Sequence, residues 1–354
     1  MSNLVNGWDF VLNQPIDQNN AAIVEGSHGT NIAGIIGAVG TNHRGLSGVV
    51  QEVSLVPLRI ARGPFTSFSN IVNGRTIRQN AIYAISWAIN HQIDIINFSH
   101  TEFIDNYSPL LLYHISNFSG LFVTIANNHN VNMNNLPFLK YRNDNTITVG
   151  ALTETAQRRS NSGWGSTAVD LFAPGQRLVT VCRSTTVGIP NVIPSSYAIV
   201  NNTSNAAPFV TGTAALILSR YSLTGSQLRQ AIMQGVTVLP QLENCTLPYV
   251  NNPNGRGRLS VTGGRLNAYG ALNAARNLSM GKFIFTPTGG NTDGWSNVSV
   301  RLNPNIEHPR RIIIPDWIEI GGADQWHVVT EIAAQGFMGG MCNKVVIPTT
   351  VGRV

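Results

Sequence analysis

The feature that most constrains this chain is an alternation, across its first 280 residues, of short apolar runs with stretches of helical period. The runs at 54–60, 93–98, 120–125 and 146–149 are rich in Val, Ile, Leu or Phe and are bounded by polar residues. Strands that are apolar on both faces need cover on both faces, and a parallel sheet between helices provides it. Helical patterns occupy 28–39, 77–90, 110–118, 204–221, 225–234 and 266–276. The one at 204–221 is apolar nearly all round, as an enclosed central helix is. These patterns predict an α/β fold with a parallel sheet and helices on both faces.

After Met280 the texture changes. Strand-like runs at 283–285, 298–302 and 312–314 are punctuated by Pro and Gly, and the stretch 328–334 suits a strand or a helix equally. The expected organisation is therefore a main domain over 1–280 and a small β-rich region over 281–354. Only 11% of the 354 residues are charged and 43% are apolar, which excludes a disordered or coiled-coil chain. No apolar run approaches the roughly 20 residues of a bilayer span, so a membrane role is not expected. The 34 glycines and 17 prolines mark many tight loops, where active sites are commonly built.

The net charge of +6 raises the question of nucleic acid, but the arginines are dispersed and lack interleaved aromatics, so none is expected as a partner. Cys182, Cys245 and Cys342 contain no Cys-x-x-Cys pair; they support neither a zinc site nor a disulfide framework, though one bridge with a leftover thiol is compatible with the count. The first residues show no basic segment followed by an apolar stretch, so no secretion leader is visible.

Three segments place reactive side chains beside small residues at strand ends or helix starts. In Ser27-His28-Gly29-Thr30-Asn31-Ile32-Ala33-Gly34 a histidine opens a helix whose inner face is small, which suits a ring held in a cleft or, equally, a capping histidine. In Asn201-Asn202-Thr203-Ser204-Asn205-Ala206-Ala207-Pro208 a serine begins the enclosed helix, where free backbone N–H groups and the helix dipole suit a developing oxyanion; an ordinary N-cap serine is the plainer alternative. Pro208 is expected within about the first turn, where its missing N–H is tolerated. In Phe122-Val123-Thr124-Ile125-Ala126-Asn127-Asn128 an apolar strand ends in amides that can donate into a crevice above the sheet.

Taken together, these segments resemble the subtilisin-like serine proteases in order and context. The histidine block is similar to that family's His-Gly-Thr-His-Val-Ala-Gly, the serine block to Gly-Thr-Ser-Met-Ala-Ser-Pro-His-Val-Ala-Gly, and Ile125-Ala126-Asn127-Asn128 to Ala-Ala-Gly-Asn. Ile95-Ile96-Asn97-Phe98-Ser99 resembles the substrate-binding strand Val-Ile-Asn-Met-Ser. The resemblance covers roughly residues 5–276 and implies a three-layer subtilisin-like fold and cleavage of peptide or protein substrates. It implies Ser204 as nucleophile, His28 as general base, and Asn128 as an oxyanion donor. Ser99, His100, Thr101, Ala126 and Asn127 become the substrate-binding residues.

The chain also departs from the pattern. The family's catalytic aspartate stands in an Asp-Ser/Thr-Gly context before the histidine, and the acids here, Asp9, Asp17 and Glu25, have none. Asp9, in Gly-Trp-Asp-Phe, matches a segment downstream of that aspartate, so the chain is expected to begin after the strand that carries it. Any secretion signal would then lie further upstream, which leaves an extracellular location open. Thr101, Asn127 and Asn202 stand where the family has glycine, which narrows the cleft or strains the backbone. No cofactor is required; a structural calcium ion, frequent in the family, would fall in the 40–48 loop, which offers Asn42 and no carboxylate. The alternative to an active endopeptidase is a catalytically impaired relative that binds peptides through the retained cleft.

Overall fold

The computed structural model describes residues 4–16, 27–42, 45–61, 76–100, 108–136, 143–182, 192–193, 197–246 and 256–280, with strands at 283–290, 296–302, 311–313, 317–319, 326–332 and 344–346. In chain order these are β1 (Gly7–Asp9), β2 (Gln14–Ile16), α1 (His28–Gly37), β3 (Leu58–Arg59), α2 (Ile77–Asn90), β4 (Ile95–Phe98), α3 (Pro109–Ser116), β5 (Leu121–Ile125), β6 (Thr146–Leu152), β7 (Leu171–Pro174) and β8 (Leu178–Val181). There follow β9 (Val192–Ile193), β10 (Tyr197–Val200), α4 (Thr203–Arg220), α5 (Gly225–Gln234), β11 (Thr237–Val238), α6 (Pro240–Glu243), β12 (Cys245–Thr246), β13 (Arg256–Gly257), β14 (Gly264–Arg265) and α7 (Ala268–Met280). The last strands are β15 (Phe283–Gly290), β16 (Ser296–Leu302), β17 (Arg311–Ile313), β18 (Trp317–Glu319), β19 (Trp326–Ile332) and β20 (Lys344–Val346).

The apolar runs become the centre of a six-stranded sheet ordered β11-β14-β7-β6-β5-β4, in which β4, β5, β6, β7 and β14 run parallel. Every residue of β5 and β6 is buried, the threonines Thr124, Thr146 and Thr148 included, as strands covered on both faces are. Helix α4 packs across β4 to β7, α5 covers β5 and β6, and α2 packs on α3. Phe122, Ile147, Val149 and Phe172 of the sheet form one core with Ala207, Val210 and Ala214 of α4. The sheet thus delivers the carboxyl ends of β4 and β5 to the start of α4, the crevice position for ligands in α/β sheets.

A second sheet, β2-β1-β3, is shorter than its sequence suggests. The run 54–60 contributes only Leu58 and Arg59 as a strand, because Pro57 has no N–H to give to the ladder between the Leu4–Leu55 bridge and the Trp8–Leu58 pair. A third sheet, β8-β10-β9, supports α1. Beyond Met280, β15-β16-β19-β18 and β17-β20 form two further sheets, and the ambiguous 328–334 stretch lies mostly within β19, where it pairs with β16 and β18. No bridge joins Cys182 to Cys245, and Cys342 lies outside the described residues. Among the described residues no helix is long and apolar enough to cross a membrane.

Candidate active site

Ser204 is the second residue of α4 and is buried, 8% exposed. Pro208 lies deeper in that helix than the sequence suggests, more than a turn from its start, and this has a local consequence. Lacking an N–H, it cannot donate to the Ser204 carbonyl four residues back. The Ser99 hydroxyl supplies the missing bond instead, donating to the Ser204 oxygen at 2.9 Å. Ser99 accepts in turn from the Asn97 amide at 2.9 Å, and the Asn97 oxygen accepts from the Thr211 hydroxyl at 2.8 Å. The end of β4 is thereby fastened to the first turns of α4.

Asn128 follows β5. Its side-chain oxygen accepts from the Thr203 N–H at 3.0 Å and from the Thr203 hydroxyl at 2.9 Å. A backbone N–H can only donate, so the atom facing it is the oxygen and Nδ2 is the amide's donor end. The Asn128 oxygen is thereby fixed to the first residue of α4, next in the chain to Ser204. Ala126 and Asn127, just before, are both buried.

His28 begins α1, which packs on α4. The helix is held from below: the Thr180 hydroxyl donates to the Asn31 carbonyl at 2.8 Å, and the Asn31 amide, oriented to satisfy its neighbours, donates to the Ser27 and Val181 carbonyls at 2.9 Å. Burial holds the His28 imidazole below the usual histidine range. His100, after β4, is pushed down to about 4 by burial and by the nearby His28 charge. Its ring meets Phe98 edge-on, 6.1 Å between centroids. The structure thus gathers Ser204, Asn128 and Ser99, and sets His28 close enough to His100 for its charge to be felt there. The Ser204 hydroxyl makes no hydrogen bond to His28; such contacts are often open in unliganded sites. Thr101, Asp17 and Glu25 lie outside the described residues.

The buried carboxylates among the described residues are Asp9 and Asp170, and both are committed elsewhere. Asp9 accepts from the N–H groups of Val11 and Leu12 at 2.8 and 3.0 Å and pairs with Arg59 at 2.8 Å. Asp170 accepts from the Thr148 N–H and pairs with Arg229, each at 2.8 Å. In the 40–48 loop the Gly40 N–H donates to the Gln51 side-chain oxygen at 2.8 Å.

The two asparagines that the resemblance sets against glycine both have positive φ. Asn127 has φ +65 and Asn202, the residue capping α4, has φ +92 and ψ 167. Asn tolerates the first region, whereas the second is nearly glycine-only. The Asn202 oxygen accepts from Arg159 Nη1 at 2.7 Å and from the Asn161 amide at 3.2 Å. Reading the sequence missed Thr203, Arg159 and Asn161. Thr203 was visible as the neighbour of the serine, but nothing local to 159–161 announces a partner more than forty residues away.

Residues 8–271 match the Subtilase family (Peptidase_S8). Subtilisin E of Bacillus subtilis (strain 168) is 31% identical over 218 residues, covering 60% of this chain and 51% of that protein. A thermostable alkaline protease of Halalkalibacterium halodurans is 30% identical over 239 residues, 67% of this chain and 58% of that one. The chain spans about half the length of the curated relatives it matches. Among solved structures, fervidolysin from Fervidobacterium pennivorans, a keratinolytic enzyme related to subtilisin, superposes with TM-score 0.58 at 18% identity, over 84% of this chain and 42% of that one. A cold adapted subtilisin-like serine proteinase gives 0.51 at 24% identity, over 73% and 81%. These likenesses share the α/β fold described above, and the sequence match extends over most of the chain: it belongs to the subtilase family.

Proposed function

We propose that the chain is a serine endopeptidase acting on peptide or protein substrates, with Ser204 as nucleophile. In this reading the Ser204 oxygen adds to the scissile carbonyl as His28 takes its proton. The oxyanion is met by the Ser204 N–H and by Asn128 Nδ2. Collapse breaks the C–N bond, His28 returns the proton to the departing amine, and water then hydrolyses the acyl-enzyme by the same proton path. Ser99, His100, Thr101, Ala126 and Asn127 border the bound peptide. The observation that carries this reading is the Thr203 clamp on the Asn128 oxygen, which fixes that amide to the residue next to Ser204.

The test is hydrolysis of internally quenched peptides by the purified chain, with fluorophosphonate labelling as a second readout. Ser204→Ala should abolish the label and lower turnover by about 10⁴-fold or more. A second reading, peptide binding without cleavage, is favoured by the commitment of Asp9 and Asp170 to structural partners. Unlabelled Ser204 together with retained, saturable peptide binding would select it.

A further inference from the structure

Among the described residues, Arg59, Arg177, Arg229 and Arg258 each pair with a carboxylate, at Asp9, Glu154, Asp170 and Glu243. Arg159 is held differently. One nitrogen, Nη1, donates to the side-chain oxygens of Asn161 and Asn202, and both partners are neutral amides. Its Nε and Nη2 have no acceptor among the described residues, and neither is a buried atom. That Nε–Nη2 edge is one of the two forks by which a guanidinium grips a carboxylate with two parallel hydrogen bonds. The residue is partly exposed and Nη1 is held by two amide oxygens, so the free edge is oriented and reachable from solvent.

Its position ties it to the cleft from two sides. Asn202 caps α4, two residues before Ser204. The Asn161 carbonyl accepts from the Asn130 N–H at 2.8 Å, in the loop that carries Asn128. A fixed cation with an unfilled fork thus stands between the cap of the Ser204 helix and the Asn128 loop.

We propose that Arg159 is a specificity-determining residue that reads a carboxylate of the bound peptide, selecting chains with an acidic group near the bond presented to Ser204. This rests on the reading that the cleft binds peptides. The carboxylate comes either from an Asp or Glu side chain or from a free C-terminus, and both offer the two oxygens the fork takes. The plain alternative is a strut: bracing Asn202 needs Nη1 alone and is indifferent to ligand charge.

Binding to the full chain carrying Ser204→Ala separates these, because no turnover is needed. Fluorescent, C-terminally amidated peptides of one sequence are titrated with Asp, Asn or Lys placed at each position in turn. A parallel set has no acidic residue and a free C-terminal carboxylate. The expected result is that an acid at one position, or the free C-terminus, binds about tenfold tighter than its amide counterpart. Adding Arg159→Gln should bring that ratio to about one, and Arg159→Lys should keep part of it. Should Arg159→Gln not fold, the ratio in the Ser204→Ala chain alone is read against salt, and it should shrink as ionic strength rises. Ratios near one at every position, or a preference that survives Arg159→Gln, overturn the proposal while leaving the peptide cleft intact. Failure to bind any peptide removes the cleft reading, and this proposal with it.

Discussion

Ser99 and Pro208 show how one residue's deficiency defines another's task. The proline removes the donor for the Ser204 carbonyl and the Ser99 hydroxyl replaces it. An unsatisfied carbonyl in so enclosed a place costs about 1–3 kcal/mol, so Ser99→Ala should destabilise the chain by about that much in urea titrations. In a Pro208→Ala background the restored N–H satisfies the same oxygen, and Ser99→Ala should there cost close to nothing; equal losses in both backgrounds would refute the exchange. Asn202 presents the complementary case, a strained backbone braced by its own side chain. Ala at this position keeps the strain and loses the bonds to Arg159 and Asn161, whereas Gly loses only the bonds. The expected outcome is an Ala variant less stable than the Gly variant by about 1–3 kcal/mol, the cost of a side chain in that region. Indistinguishable unfolding midpoints would mean that the position carries no strain.

At the scale of elements, the sequence was clearest where a signal is local and doubled. Helices α2 and α5 start where their periodicity predicts because each opens on a capping box, Thr76 with Gln79 and Thr224 with Gln227, in which side chain and backbone bond reciprocally. The Ser204, His28 and Asn128 segments were legible because motif and element coincide at a helix start or strand end. Features that depend on distant partners were not: the shortened β3, the Asn97–Ser99–Ser204 chain and the Arg159 bonds are set by tertiary packing. Helix α1 joins the two kinds. Its Gly29 faces open space, while a Cβ on Gly34 would sit 2.3 Å from Val181 Cγ2 and 2.7 Å from Thr180 Oγ1 of β8. Ala at 29 should therefore be neutral or stabilise by up to about 1 kcal/mol through helix propensity. Ala at 34 should destabilise by about 1–3 kcal/mol, because β8 must give way. Thermal unfolding of the two variants reads this directly, and equal shifts would show that α1 does not rest on β8 as described.

The whole molecule answers to pH through the two imidazoles brought together from α1 and the end of β4. In the unfolded chain each histidine takes a proton near pH 6.5, but in the fold His100 does so only at about 4 and His28 also below its ordinary value. Between those limits the unfolded chain binds more protons than the folded one, so stability falls as pH drops from about 6.5 toward 4. Below about 4 both states carry the proton and the loss is complete. At about 1.4 kcal/mol per pH unit, the His100 shift alone amounts to about 3 kcal/mol. Replacing His100 by Asn, which cannot titrate, should flatten the dependence of the unfolding midpoint on pH across this window. The same physics bears on turnover, since a general base works only when neutral. With its imidazole held low by burial, the acid limb of kcat/KM should have its midpoint below 6.5. In the His100→Asn chain that midpoint should stay put, because His100, held at about 4 partly by the His28 charge, is neutral while His28 titrates. An acid limb that moves on this substitution would mean that His100 carries charge in the range where the group controlling turnover titrates, against the order given by its value of about 4.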